Sequence, residues 1–454
     1  MRPIRLPELP IGRRSAAEVF EAGIYGIIKR VVVIGNGFSG AENQCIGLVR
    51  ALGLSGCHTL YRVTRPRGGI NKWLHWLPVS LHKKLDYVMR QICIYSGVQV
   101  EAGWSKVVPF TIEKTGLSSV IEADAKQIAM MARDTFEKEG PLLVIASGRD
   151  TISVASSIKR LATENVFLVQ LFNCFDFVDL GDFTIQHPRS RLNRFDLVIT
   201  PQHDYYPLTP HGQRQIPWFL RRWITPGRPP DRHMVLTVGA LHLADSAALR
   251  SAASVWHDEL APLARPLLVV NIGGPTSSCQ YGADLAKQLI AMLQNVLWSC
   301  GSVRISFSRR TPEKVSKILL KEFSSNPKVY IWDGEGPNPH MGHLAWADAF
   351  VITADSVSML SEASTTGLYW FFEFEHPRYN PLCFRKPVYV IGAERCTWKF
   401  ADFQKSLRER GAVRPFTGKE DISESWSYPP LNDTAEAASQ VMKALADRGW
   451  TIDA

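Results

Sequence analysis

The feature that most restricts what this chain can fold into is a recurring unit: a run of apolar residues, a loop of small or polar residues, then a helical pattern. Val31 to Ile34, Leu142 to Ala146, Leu267 to Asn271 and Phe350 to Thr353 are followed by such a loop, and Val166 to Gln170, Asp196 to Thr200 and Val303 to Phe307 read as further strands. Unbroken apolar runs suit strands covered on both faces, so the pattern predicts a parallel α/β sheet with ligands at the carboxyl ends of its strands. One stretch stands out, Val351 to Ala363, where a strand ends in Thr353-Ala354-Asp355-Ser356 and turns directly into a helix. With Asp355 or Ser356 as N-cap, backbone N–H groups and the positive end of the helix dipole face the space above the strand, where an anion would sit. The plain alternative is a capped strand-to-helix junction with no ligand.

The stiff segment Ile224 to Pro230 is the best boundary in the chain. The expected plan is a disordered basic leader (1–28), an α/β domain (29–223), a linker (224–232) and a second α/β domain (233–454) whose last helix packs back on the first. Both domains read as Rossmann-like and doubly wound, facing across a cleft.

In the second domain three loops fall at strand ends: Gly273-Gly274, Ser308-Arg309-Arg310-Thr311 and Asp355-Ser356-Val357-Ser358. Glycine lets a backbone approach closely, arginine offers a forked phosphate donor, and Ser308, Thr311, Ser356 and Ser358 bring hydroxyls. Glu362, about two turns into the helix, is placed for a ribose. Taken singly, each loop also reads as a turn or a cap.

In the first domain Gly35-Asn36-Gly37-Phe38-Ser39-Gly40 follows a strand and opens a helix, matching G-x-G-x-x-G. A dinucleotide site also needs an acid about 20 residues on, at the end of the second strand. That strand instead runs into Thr64-Arg65, and Glu42 lies in the first helical turn where it would repel a pyrophosphate. Nicotinamide or flavin binding therefore ranks last, and Gly35, Gly37, Asn43 and Gln44 are read as a cleft loop built on a tight glycine turn. His203-Asp204, in the loop after Asp196 to Thr200, is a candidate general base, against the commoner reading of a structural loop histidine.

A net charge of +9 points to an acidic partner, and the basic residues come in small groups without a nucleic-acid module signature. No apolar run approaches the ~20 residues a transmembrane helix needs. The aromatic segment Trp73 to Leu77, flanked by Lys72, Lys83 and Lys84, suits either a core or a membrane surface. The cysteines are scattered, with no C-x-x-C pair, which argues against a zinc site or a disulfide framework and for a reducing compartment. No metal is expected.

Tandem α/β domains with a donor-like pocket in the second resemble GT-B glycosyltransferases. More closely, the chain resembles the plant mitochondrial fission protein family named for its elongated-mitochondria phenotype, with bacterial relatives. The resemblance is carried by Gly35-Asn36-Gly37 with Glu42 to Leu48, Tyr61 to Pro66, His187 to Ser190, Pro201 with His203 to Pro210, Val351 to Glu362, and Tyr428 to Asp433. It implies a peripheral factor on the cytosolic face of the mitochondrial outer membrane, and in the cytosol, that helps a dynamin-related GTPase assemble at division sites. On that reading no cofactor is required and no nucleic acid is bound. The alternative is an active transferase, with a nucleotide or nucleotide sugar on Gly273-Gly274, Arg309 and the Ser356 loop. The chain departs from the family pattern twice, at Leu171 to Thr184 and Leu368 to Arg385. Both segments are apolar and aromatic, odd for surface loops, and read as products of splicing or of the gene model, with a real extension as the lesser alternative.

Overall fold

In the computed structural model, residues 26–64, 79–95, 121–172, 194–215, 218, 232–276, 279–366, 386–424 and 426–453 are described. The leader before residue 26, most of the linker, the aromatic segment around Trp73 and almost all of the two departing segments lie outside them.

The runs read as strands form two parallel sheets. In the first, the order is β4 (Ile121–Glu122), β3 (His58–Arg62), β2 (Arg30–Gly35), β5 (Leu142–Ser147), β6 (Val166–Leu171), β7 (Leu197–Pro201), β8 (Met234–Thr237). In the second it is β11 (Val329–Trp332), β10 (Ser302–Phe307), β9 (Leu267–Ile272), β12 (Ala349–Thr353), β13 (Val388–Ile391), β14 (Arg414–Pro415). Each sheet grows outward in both directions from its first central strand, β2 or β9. The fold is therefore two Rossmann-like doubly wound domains in a GT-B-like arrangement, as expected.

Alternation along the strands explains why the runs are apolar throughout. On β9, Leu267 and Val269 enter one core while Leu268, Val270 and Ile272 enter the other, and on β2 the pairs Val31/Val33 and Val32/Ile34 divide in the same way. Both faces are buried, so residues 267–270 and 31–34 are apolar without a break.

One expectation is corrected. The chain after the Pro-rich segment does not start the second sheet: β8 pairs parallel with β7, Val198 against Met234 and Thr200 against Leu236, as the edge of the first. Proline and glycine report a turn-rich connection, not which sheet receives the next strand.

The crossing to the second domain runs through 238–245. There the Asp433 carboxylate accepts from Val238 N at 2.8 Å and Gly239 N at 2.9 Å, and Ser361 Oγ accepts from Ala240 N at 2.9 Å. The chain then returns. Helix Asp433–Asp447 places Ala437, Ala438, Val441 and Leu445 in the core formed by Val31, Val33 and Leu143, a burial of on the order of 5 kcal/mol. Beyond it Arg448 donates to Thr163 O and Asp196, and β15 (Thr451–Ile452) pairs with β1 (Ile27–Ile28).

A second correction concerns the cysteines. Cys279 and Cys396 form a disulfide across 117 residues of sequence, which spacing could not announce.

Candidate functional site

The residues singled out in the second domain gather where β9, β10 and β12 end, beside the point at which the strand order reverses. Asp355 is at their centre and is fully buried. It does not cap the helix that follows; Ser356 does, its Oγ accepting from Met359 N at 3.4 Å ahead of helix Val357–Thr365. The Asp355 carboxylate turns inward instead. Its Oδ2 accepts from Gly274 N at 3.1 Å and from Arg310 Nη2 at 3.0 Å, and its Oδ1 from Tyr281 Oη at 2.6 Å and Thr353 Oγ1 at 2.7 Å. Thr353 Oγ1 in turn accepts from Gly273 N at 2.8 Å.

Gly273 is required by this closeness: a Cβ there would lie 2.2 Å from Asp355 Oδ2. Burial pushes the Asp355 carboxyl above its ordinary value, opposed first by the Arg310 charge and then by the hydrogen bonds of Tyr281, Thr353 and Gly274. The Tyr281 hydroxyl is pushed up by burial and by the Asp355 charge, so it stays a donor.

Ser308 and Thr311 brace the loop from below. Thr311 Oγ1 accepts from Ser308 N and donates to the carbonyls of Ile272 and Gly273, at 2.8 and 2.7 Å, while Ser308 Oγ accepts from Arg310 N. Arg309, chosen from sequence, is exposed, and its neighbour Arg310 reaches the centre instead. Ser358 is half-buried in the first helical turn. Glu362 pairs at 2.6 Å with His340 at the start of helix His340–Trp346. The pair raises His340, burial opposing it, and lowers Glu362 against the same opposition.

The glycine loop of the first domain has the same construction. Glu42, in the first turn of helix Ser39–Ala51, is buried, and its Oε1 accepts from Gly37 N at 2.9 Å. Arg62, at the carboxyl end of β3, donates Nε and Nη2 to the two carboxylate oxygens, both at 2.6 Å. A Cβ on Gly35 would lie 2.4 Å from Glu42 Oε1. Asn43 is exposed, and Gln44 is buried with its amide nitrogen lacking a hydrogen-bond partner among the described residues. Arg62 is one-third exposed, so replacing it with methionine is expected to cost about 2 kcal/mol in urea denaturation, below the ~3–5 kcal/mol of a wholly buried pair.

His203 and Asp204 are placed elsewhere, in the turn Gln202–Leu208 after β7. The His203 ring, 1% exposed, packs 5.4 Å from Phe403, whose helix Trp398–Glu409 belongs to the second domain. Gln202 reaches Ser406 of the same helix, and Asp204 accepts from Thr200 Oγ1 at 3.1 Å.

Sequence reading named Arg310 and Thr353 only as members of their loops, and missed Tyr281, His340 and Arg62. Of the three missed, Arg62 left a readable trace, a basic residue at the end of the second strand, where a dinucleotide site needs an acid.

Comparison with known proteins gives a consistent family. The sequence profile described as mitochondrial fission ELM1 matches residues 39–369 and 379–445. The break between the two matched stretches falls inside the departure at 368–385, whereas 171–184 lies within the first. Mitochondrial fission protein ELM1 of Arabidopsis thaliana is 59% identical over 457 residues, covering 100% of both chains. An uncharacterized protein of Rickettsia prowazekii (strain Madrid E) is 29% identical over 330 residues, covering 69% of this chain and 83% of its own. Among solved structures, the UDP-GlcNAc 2-epimerase of Methanocaldococcus jannaschii overlays with a TM-score of 0.45 at 10% identity, covering 92% of this chain and 99% of that one. MurG of Acinetobacter baumannii overlays at 0.35 with 13% identity, covering 94% and 96%. Overlays this loose transfer neither ligand nor activity.

Proposed function

This chain belongs to the mitochondrial fission ELM1 family, and we propose that within mitochondrial division it acts as a non-enzymatic adaptor that recruits a dynamin-related GTPase. A role in mitochondrial fission follows from the family and from the full-length relative. The adaptor role adds a place, the cytosolic face of the mitochondrial outer membrane with a pool in the cytosol, and a peripheral mode of attachment. The net charge of +9 favours attraction to an anionic lipid surface. Among the described residues no helix is long and apolar enough to cross a membrane.

The observation that carries the non-enzymatic reading is the burial of His203. A general base must come within hydrogen-bond distance of the group it deprotonates. His203 is sealed at the contact between the domains by Phe403, and Asp204 beside it is held by Thr200.

Sugar transfer from a nucleotide-sugar donor is the second reading, favoured by the convergence of Gly273-Gly274, Ser308 to Thr311 and Asp355 at the ends of three strands. Calorimetry of the full chain against a panel of nucleotides and nucleotide sugars is expected to give no heat. Binding that Arg310→Ala abolishes, together with sugar turnover, would overturn the adaptor as a complete account. For the adaptor itself, the immobilised chain is expected to retain a purified dynamin-related GTPase, and failure to retain it in any nucleotide state removes direct recruitment.

A further inference from the structure

Each domain carries a glycine-bearing loop at the carboxyl end of its first central strand, and in each the donors that would cradle an anion are already turned on a carboxylate of the chain itself. At the second loop these are a backbone N–H (Gly274), a guanidinium (Arg310) and two hydroxyls (Tyr281 and Thr353), all on Asp355. At the first they are Gly37 N–H and the fork of Arg62, both on Glu42. In both loops the carboxylate fills the space left by the missing glycine side chain, 2.2 Å from the Cβ position of Gly273 and 2.4 Å from that of Gly35.

We propose that Asp355 is a built-in anion that holds the Gly273-Gly274 cradle closed to phosphate-bearing ligands, and that removing its charge opens a site for pyrophosphate. The physical argument is one of competition. A phosphate needs the same N–H, guanidinium and hydroxyl donors, and each of them already faces a fixed carboxylate at contact distance. An incoming phosphate would also meet a like charge at a buried position, where repulsion is far stronger than in solution. The Asp355 carboxyl is tethered, so it is present at an effective concentration no free ligand matches. Thr311 braces the same loop through the carbonyls of Ile272 and Gly273. Glu42 and Arg62 repeat the arrangement on an independent loop, which argues against accident at Asp355.

This inference deepens the reading of the same pocket as unused for sugar transfer but does not depend on recruitment of a GTPase. The test is titration of the full chain with pyrophosphate, following heat and melting temperature, for the parent, Asp355→Ala, Asp355→Asn and Asp355→Ala/Arg310→Ala. Asp355→Asn keeps the volume and one acceptor, and so guards against a variant that does not fold. The parent is expected to show no binding. Asp355→Ala, or Asp355→Asn should the alanine variant not fold, is expected to bind at least ten-fold more tightly than the parent and to melt higher in pyrophosphate. Adding Arg310→Ala removes the gain. Binding by the parent within ten-fold of the charge-removed variants overturns the proposal, as does a folded charge-removed variant that binds nothing. GTPase retention measured on the same proteins separates the two ideas: if retention fails while the pyrophosphate gain appears, only the adaptor falls.

Discussion

Replacing Asp433 with alanine is expected to destabilise the protein by about 4 kcal/mol, because both carboxylate oxygens satisfy buried N–H groups and each bond to a charged group is worth ~1.5–3 kcal/mol. The residue is 6% exposed, so water does not readily replace it. Its partners, Val238 and Gly239, are the first residues after β8, where the chain leaves the first sheet, and Asp433 itself opens the helix that comes back. One side chain thus ties the outgoing strand of the chain to the returning one. Asparagine keeps a single acceptor, so Asp433→Asn should cost roughly half as much. Urea denaturation supplies the stabilities, and amide exchange at Val238 and Gly239 should accelerate in both variants. A loss below 1 kcal/mol for alanine would show that the crossover is held by something else.

The second large effect is acid destabilisation centred on His343. Burial, then the charges of His340 and Arg304, hold this imidazole at about 3, far below the ordinary 6.5. Between those values the unfolded chain binds a proton that the folded chain refuses, so stability falls as pH falls. Stability is unimpaired above pH 6.5 and declines by about 1.4 kcal/mol per pH unit below it, a loss on the order of 4 to 5 kcal/mol near pH 3. His242, lowered chiefly by burial, acts in the same sense. His340 acts in the opposite one: raised by Glu362, it contributes most below pH 6.5 and loses that contribution as pH rises through its folded value. Glu362 is lowered, so its share is present above the ordinary carboxylate range and is lost only as pH falls through its folded value. The discriminating measurement is therefore a difference. Between pH 6.5 and 4.5, His343→Leu should lose stability less steeply than the parent by about 1.4 kcal/mol per pH unit. Parallel curves would mean that His343 is already charged in the folded protein.

Much of the architecture was legible because parallel sheets buried on both faces leave unbroken apolar runs, and Val31 to Ile34 or Leu267 to Val270 could hardly be anything else. What escaped did so for physical reasons. β4 and β14 have two residues each, too few for any period to show. β8 lies behind a Pro-rich segment that looks like a boundary and exposes Leu236 at an edge.

The loops of the candidate site were legible as loops, from glycine and from small polar residues at strand ends. Which atoms they point at each other was not. Asp355 and Ser356 are equally good caps in sequence, and only the backbone path decides that the serine caps while the aspartate turns inward. Arg309 and Arg310 are chemically identical neighbours inside one turn, which Thr311 closes with its hydroxyl. Tyr281 and His340 reach their carboxylates from 74 and 22 residues away, distances over which no spacing rule operates.

The return of the last helix has a consequence for how this protein is made. The core around Val31, Val33 and Leu143 is completed by Val441 and Leu445, and among the described residues β1 pairs with Thr451 and Ile452. The sheet formed first on the ribosome is therefore the last to be sealed. Until the C-terminal residues emerge, an apolar face of the N-terminal domain stays open to water, through the whole synthesis of the second domain. Nascent chains stalled near residue 430 should bind chaperones that the finished chain does not, and the N-terminal half expressed alone should be insoluble unless residues 433–453 are supplied with it.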